Sequence, residues 1–178
     1  MKRILSFKLL ALSLFIFISG SSFAVSSDSG QRAVDDLPKA DKVIVYKKRR
    51  LMMLLADGFV IKSYRISLGG NPVGHKQQQG DSKTPEGKYT LDWKNPKSSF
   101  YLSIHISYPN KDDRQRAKKN GVSPGGSIMV HGQPNWMSWA QYLRLGSDWT
   151  DGCIAVTNVE MDEIWQSVDA GTPIYIFP

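Results

Sequence analysis

The chain has 178 residues, of which 41% are hydrophobic and 22% are charged, and its formal net charge is +7 at pH 7. This basic balance favours anionic surroundings, such as a cell-wall polymer or phospholipid head groups. It does not favour nucleic acid as a partner, because no stretch has the helix-like stripe of basic residues with interleaved aromatic residues that nucleic-acid recognition uses.

The first 24 residues have the features of a secretory signal peptide. Lys2 and Arg3 precede an apolar run that is too short for a membrane-spanning helix, and Ser22 and Ala24 are small residues that a signal peptidase accepts. Cleavage after Ala24 removes three of the 23 basic residues and none of the 16 acidic ones, which lowers the net charge to +4. We expect a monomeric mature protein in the periplasm, with no stable membrane insertion.

The remaining residues are of single-domain size. Residues 25–40 are predicted to be a flexible leader, and residues 41–178 one domain. Alternating apolar residues and turn signals such as Asp57-Gly58 predict strands at residues 42–47, 51–56, 59–67, 88–93, 100–107, 127–131 and 172–177. Helical periodicity predicts helices over residues 112–120, over residues 134–145, and from Asn158 to just before Gly171. The fold class is therefore mainly β with peripheral helices, an α+β domain.

The one cysteine, Cys153, requires an explanation in an exported protein, since a lone thiol is a liability in an oxidising compartment. It is either a buried, inert residue or a reactive one. Cys153 opens one predicted strand and His131 closes another, so the two can face one site. His131 is then the base that takes the thiol proton, with its ring fixed by the Gly132 carbonyl. The N–H groups of Gly152 and Cys153 are candidates for binding an oxyanion.

This pattern resembles the L,D-transpeptidase catalytic domain, the YkuD family, whose signature is His-Gly followed, after a variable gap, by Ser-His-Gly-Cys and then Arg. The family's Gly-Asp-x-x-Thr-Pro-x-Gly turn is found at residues 80–87, and its closing strand at residues 171–174. The resemblance covers roughly residues 41–178. It implies a YkuD-like β-sandwich and a thioester formed between the cysteine and a peptidoglycan stem peptide.

The sequence departs from the family pattern at three positions around the cysteine. Thr150 replaces Ser, Asp151 replaces His, and Ala155 stands where Arg often follows. Residues 152–158 and 108–110 are similar to a branch containing a periplasmic protein that hydrolyses the link between peptidoglycan and a Braun-type lipoprotein. Three functions therefore stay open: L,D-transpeptidase, hydrolase of the same bond or of the lipoprotein link, and a wall-binding module without catalysis.

Further residues are candidates for substrate binding. Arg116, in a basic stretch, can hold the donor carboxylate in place of the missing Arg, or can belong to a solvated helix face. Trp149, with Trp136, Trp139 and Tyr142, can form a lid or sugar-stacking wall, or can be core. Thr150 is also a candidate, and Asp151 either orients His131 or caps a turn. His75 and His105 are predicted to have no role in the site, and neither a metal nor another cofactor is expected.

Overall fold

The computed structural model describes residues 37–137 and 148–178. The strands in these ranges are β1 Lys42–Tyr46, β2 Leu51–Ala56, β3 Phe59–Arg65, β4 Gly87–Ser98, β5 Tyr101–Ile106, β6 Met129–His131, β7 Ile154–Ala155 and β8 Thr172–Phe177. The helices are α1 Lys111–Lys119 and α2 Asn158–Ser167. The expected fold class, mainly β with peripheral helices, is confirmed.

The strands form one sheet in the order β3-β2-β1-β8-β4-β5-β6-β7. Pairing is antiparallel except between β1 and β8 and between β6 and β7. The sheet curls until its two edges meet, because Ser67, just after β3, exchanges two N–H···O bonds of 2.9 Å with Ala155 of β7. This seam places the residues that precede β7, including Cys153, beside the loop that follows β3.

The core lies inside the curled sheet and is closed by α2. The strands contribute alternate apolar residues to it, as in β1, where Val43 and Val45 are buried and their neighbours are not. Met161 and Ile164 give α2 a buried face of helical spacing. The helix begins at Asn158, as the sequence predicted, and the residue before it is the N-cap. Thr157 is the cap, since its hydroxyl accepts the Glu160 N–H while the Glu160 carboxylate accepts the Thr157 N–H.

Most boundaries agree with the sequence-based expectation to within a few residues, and two elements depart from it further. Strand β4 continues past Trp93 to Ser98, with irregular pairing to β5 that breaks the alternating pattern on which the prediction relied. Residues 134–137 are not helical, and the rest of the helix predicted over residues 134–145 lies outside the described residues.

The signal peptide at residues 1–24 and most of the predicted leader also lie outside the described residues. The last leader residue, Ala40, is buried and donates its N–H to the Ser167 carbonyl at 2.8 Å. Within the described part of the chain, no helix is long and apolar enough to cross a bilayer.

Candidate active site

Pairing between β6 and β7 brings the predicted nucleophile and base to one face of the sheet. Val130 lies opposite Ile154 and both are buried in the core, so their neighbours along each strand point the other way. His131 is therefore on the same face as Cys153, which immediately precedes β7. The Met129 N–H donates to the Cys153 Sγ at 3.4 Å and ties the thiol to the neighbouring strand.

Both residues line a cleft of about 360 Å³. Three predicted substrate-binding residues, Trp149, Thr150 and Asp151, line it with them. The other lining residues are Asn95, Ser98, Ser99, Phe100, Ser103, Ser127 and Met129. The cleft therefore brings together residues from β4, β5, β6 and the segment before β7, which are far apart in the sequence.

The His131 ring is held in one tautomer. Its Nδ1 lies 2.7 Å from the Gly132 carbonyl oxygen, and because a carbonyl only accepts, Nδ1 carries the proton. Burial lowers the pKa of His131 to about 4, and the Gly132 carbonyl offsets this only in part. The ring is therefore neutral at physiological pH, and its Nε2 is available as a proton acceptor. This fixing of the ring by Gly132 agrees with the role predicted for that residue.

Aromatic side chains bury the His131 ring. Phe100 lies with its ring centroid 4.6 Å from that of His131, and Trp149 meets His131 edge-on at 5.8 Å. Trp136 is 68% exposed and contacts Phe100 edge-on at 5.7 Å. Trp149 and Trp136 thus belong to one cluster of rings around Phe100 and His131, whereas Trp139 and Tyr142 lie outside the described residues.

The sequence alone does not identify Phe100 as a residue of the site. It predicts Phe100 at the start of a strand, and nothing near it in the chain indicates proximity to residue 131. The pairing of β5 with β6, which sets Ser103 opposite His131, produces the contact.

The Cys153 thiol is protonated in the resting site. Burial raises its pKa, and the N–H of Met129 offsets this in part. The S–H group donates weakly to the Ser127 carbonyl oxygen, which lies 3.7 Å from Sγ. The site therefore pairs a neutral thiol with a neutral imidazole, so the proton would move when the sulfur attacks and not before.

Thr150 shapes the loop that presents Cys153. Its Oγ1 accepts the Gly152 N–H at 3.2 Å and donates to the Cys153 carbonyl oxygen at 2.8 Å. A hydroxyl at this position therefore closes a tight turn, which both Thr and Ser can do. The Gly152 N–H predicted to bind an oxyanion is occupied by this bond. The Cys153 N–H makes no hydrogen bond to any described residue.

Close backbone packing requires glycine beside the cysteine. Gly152 has φ +124°, and a Cβ there would lie 2.5 Å from the Lys83 carbonyl oxygen. A Cβ on Gly69 would lie 2.1 Å from the Ser82 carbonyl oxygen. The cysteine loop, the loop after β3 and the turn at residues 80–87 therefore pack backbone against backbone.

Asp81 gives a physical reason for the Gly-Asp turn. Its carboxylate pairs with Lys76 at 2.7 Å and accepts the N–H groups of Gln77, Gln78 and Lys83. Burial raises the pKa of Asp81, but Lys76 and these N–H groups outweigh it and lower the pKa to about 2. The ionised carboxylate thus organises the turn whose Lys83 carbonyl contacts Gly152.

Two predicted residues have surroundings that bear on their roles. Asp151 lines the cleft, but the His131 Nδ1 is bound to Gly132, so Asp151 does not orient the ring through that nitrogen. Arg116 is not among the lining residues of the cleft. It pairs with the buried Asp113 at 3.0 Å and contacts His75, whose Nε2 lies 2.9 Å from the same carboxylate. Its assignment to the donor carboxylate stays a prediction.

No group of three or more metal-ligating side chains is present among residues 37–137 and 148–178. What the described site offers is acid–base and nucleophilic chemistry: one thiol, one neutral imidazole and the Cys153 backbone N–H, at a cleft lined by Phe100 and Trp149. A nucleophile, a base and an N–H donor for an oxyanion are the groups that an acyl-transfer site requires.

Residues 40–176 match the YkuD family, the L,D-transpeptidase catalytic domain, and the chain belongs to that family. It is 33% identical over 111 residues to the Escherichia coli K12 protein named "Putative L,D-transpeptidase YafK", a match that covers 61% of this chain and 37% of YafK.

Solved structures agree with the family assignment. The helical cell shape determining protein Pgp2 from Campylobacter jejuni superposes with a TM-score of 0.59 at 25% identity, over 83% of this chain and 54% of Pgp2. L,D-transpeptidase 3 from Mycobacterium tuberculosis, solved with a faropenem-derived adduct, shares the fold with a TM-score of 0.51 at 15% identity, over 77% of this chain and 60% of that chain. This chain therefore matches less than two thirds of the length of each of these relatives.

Proposed function

We propose that the protein is an exported, cysteine-dependent L,D-transpeptidase that acts in the periplasm on peptidoglycan stem peptides and takes part in cell-wall remodelling. The observation that carries this proposal is the geometry of His131: a neutral ring, with its proton held on Nδ1 by Gly132, in the same cleft as Cys153. Family membership supports peptidoglycan as the substrate, and Pgp2 supports a role in cell shape.

In the proposed reaction, the His131 Nε2 accepts the thiol proton while the Cys153 sulfur attacks the carbonyl at the L-centre of the stem diamino acid. The Cys153 N–H stabilises the developing oxyanion. The imidazolium then donates its proton to the leaving amine, and a thioester remains on Cys153. An acceptor amine, deprotonated by His131, attacks the thioester, releases the new amide and restores the thiol.

Hydrolysis of the same bond is the second candidate function, and the observation that favours it concerns Ala155. Ala155 is only 1% exposed, and its backbone is bonded at the seam to Ser67. The arginine that often follows the cysteine in the family is therefore absent from a position without space for it. Without that arginine the donor carboxylate is held differently, and in this second candidate water captures the thioester, on stem peptides or on a peptidoglycan-linked lipoprotein.

Product analysis distinguishes the two outcomes. The purified protein and its Cys153→Ala variant are incubated with tetrapeptide and tripeptide muropeptides and a free D-amino acid, and the products are resolved by mass spectrometry. Cross-linked dimers or D-amino-acid exchange that depend on Cys153 establish a transferase. Tripeptide without exchange establishes a hydrolase, and turnover of neither substrate contradicts action on free stem peptides.

A covalent probe tests the nucleophile separately. Because a related M. tuberculosis enzyme was solved with a faropenem-derived adduct, we expect faropenem to add to Cys153, with a mass increase that the Cys153→Ala variant does not show. Absence of an adduct would favour a wall-binding module without catalysis.

A further inference from the structure

The face of the sheet that carries the cleft extends beyond it, toward β4. On β5, Ile104 and Ile106 are fully buried in the core, so Ser103 and His105 point to the opposite face. Ser103 lines the cleft, and His105 pairs with Met129, which also lines it. His105 therefore lies on the cleft face, one strand further from Cys153 than Met129.

A bulge in β4 directs two side chains onto His105. Leu91 pairs with Ile106 and Lys94 with Ile104, so both Asp92 and Trp93 lie opposite the single residue His105. Two residues facing one is the arrangement of a β-bulge, which turns side chains toward a new direction and is frequent beside functional sites.

These three side chains form an exposed platform, which we call the Trp93 platform: Asp92, Trp93 and His105. The indole of Trp93 is stacked on the His105 ring at 5.4 Å with an interplanar angle of 22°. The His105 Nδ1–H donates to the Asp92 carboxylate at 2.6 Å, which fixes the imidazole plane. Trp93 nevertheless remains 45% exposed, so a large aromatic surface is presented to solvent.

The chemistry of the Trp93 platform suits a sugar ring. An indole face packs against the apolar C–H face of a pyranose, and neighbouring carboxylate and imidazole groups bond its hydroxyls. Asn95, two residues along β4 from Trp93, lines the cleft and pairs with Ser103, so the platform and the cleft are continuous.

The separation fits the proposed substrate. Cys153 lies one strand spacing from β6, and the bulge in β4 is two spacings further, so three spacings of about 4.8 Å separate them by about 14 Å. The stem peptide from its third residue back to its first spans about 10–11 Å when extended, and a lactyl group then links it to the sugar. A stem peptide laid across β6 and β5 would therefore bring its sugar to β4.

We propose that the Trp93 platform binds the amino sugar that carries the stem peptide, so that this protein recognises glycan and peptide together. The inference rests on the proposed function, since it uses a stem peptide attached to its glycan as the substrate. It gives His105, for which the sequence analysis expected no role, a place in substrate recognition.

Binding to the full chain carrying Cys153→Ala tests the platform without turnover. Isothermal titration calorimetry compares a disaccharide–tetrapeptide with the free tetrapeptide. We expect the sugar-bearing ligand to bind about tenfold more tightly, a ratio that falls close to one in Trp93→Ala and is largely kept in Trp93→Phe. Phe59→Ala, a change at a 77% exposed aromatic residue outside the cleft, is the matched control and keeps the ratio.

A ratio near one before substitution, or a ratio that survives Trp93→Ala, overturns the inference. A lower melting temperature of Trp93→Ala with an unchanged ratio also overturns it, because the stack would then be structural only. Binding of the disaccharide without a peptide tests the platform independently of the proposed function. If it binds and Trp93→Ala abolishes that binding, the platform stands even where the enzyme with Cys153 turns over no muropeptide.

Discussion

The neutral state of His131 has a consequence for stability that can be measured. Burial lowers the pKa of this residue from its ordinary value of 6.5 to about 4. Between these pH values the unfolded chain binds a proton that the folded protein does not. The stability associated with the neutral ring is therefore fully present above about pH 6.5 and is lost as the pH falls toward 4. Each pKa unit corresponds to about 1.4 kcal/mol, so the loss is about 3 kcal/mol.

The assay is urea unfolding of the wild type and of His131→Gln at several pH values from 7 to 4. Glutamine can still donate a hydrogen bond to the Gly132 carbonyl but does not titrate. The wild type should lose about 3 kcal/mol of unfolding free energy relative to this variant over the range. Cys153→Ala, which keeps His131, should follow the wild type, and constant m-values would show that unfolding stays two-state.

The same pKa sets the acid limit of activity. The base works only when its ring is neutral, so kcat/KM for a muropeptide should be retained at pH 5 and fall to half near pH 4. Parallel stability curves for the wild type and His131→Gln would refute the reasoning. So would an NMR titration of the His131 ring with a midpoint near 6.5.

The remaining predictions concern the loop and the catalytic pair. Gly152→Ala places a Cβ 2.5 Å from a backbone carbonyl oxygen, so it should lower the free energy of unfolding by about 2 kcal/mol or more in thermal unfolding and abolish nearly all turnover. Gly171→Ala is the control, because this residue has φ +101° but open space around it, so its effect measures backbone strain without crowding. Thr150→Val removes two hydrogen bonds and should lower the free energy of unfolding by about 2 kcal/mol and also lower kcat, while Thr150→Ser keeps both bonds. Measuring kcat and KM for the two variants distinguishes a role in shaping the loop, which lowers kcat, from a contact with substrate, which raises KM. Cys153→Ala, His131→Ala and the double variant should have equal residual rates; a His131→Ala enzyme near full rate would show that another group is the base.

The sequence determined the chemical candidates and the local structure. Alternating apolar residues predicted most strands because side chains on a strand point to opposite faces, and this needs no knowledge of the partner strand. The lone thiol and the His-Gly pair were recognisable for a similar reason: the residue types limit which chemistry is available. The sequence also showed that Thr150 and Ala155 depart from the family pattern, but it did not show what structural effect these departures have.

Tertiary structure alone decided which side chains share a surface. Phe100 and Trp149 lower the pKa of His131 by excluding water, and that requires the pairing of β5 with β6 and the return of the chain at residue 149. The bulge that directs Trp93 onto His105 exists only in the register between two strands. Local propensity acts within a few residues, whereas burial and register depend on residues brought together by the whole curled sheet, so these features could not be derived from the sequence.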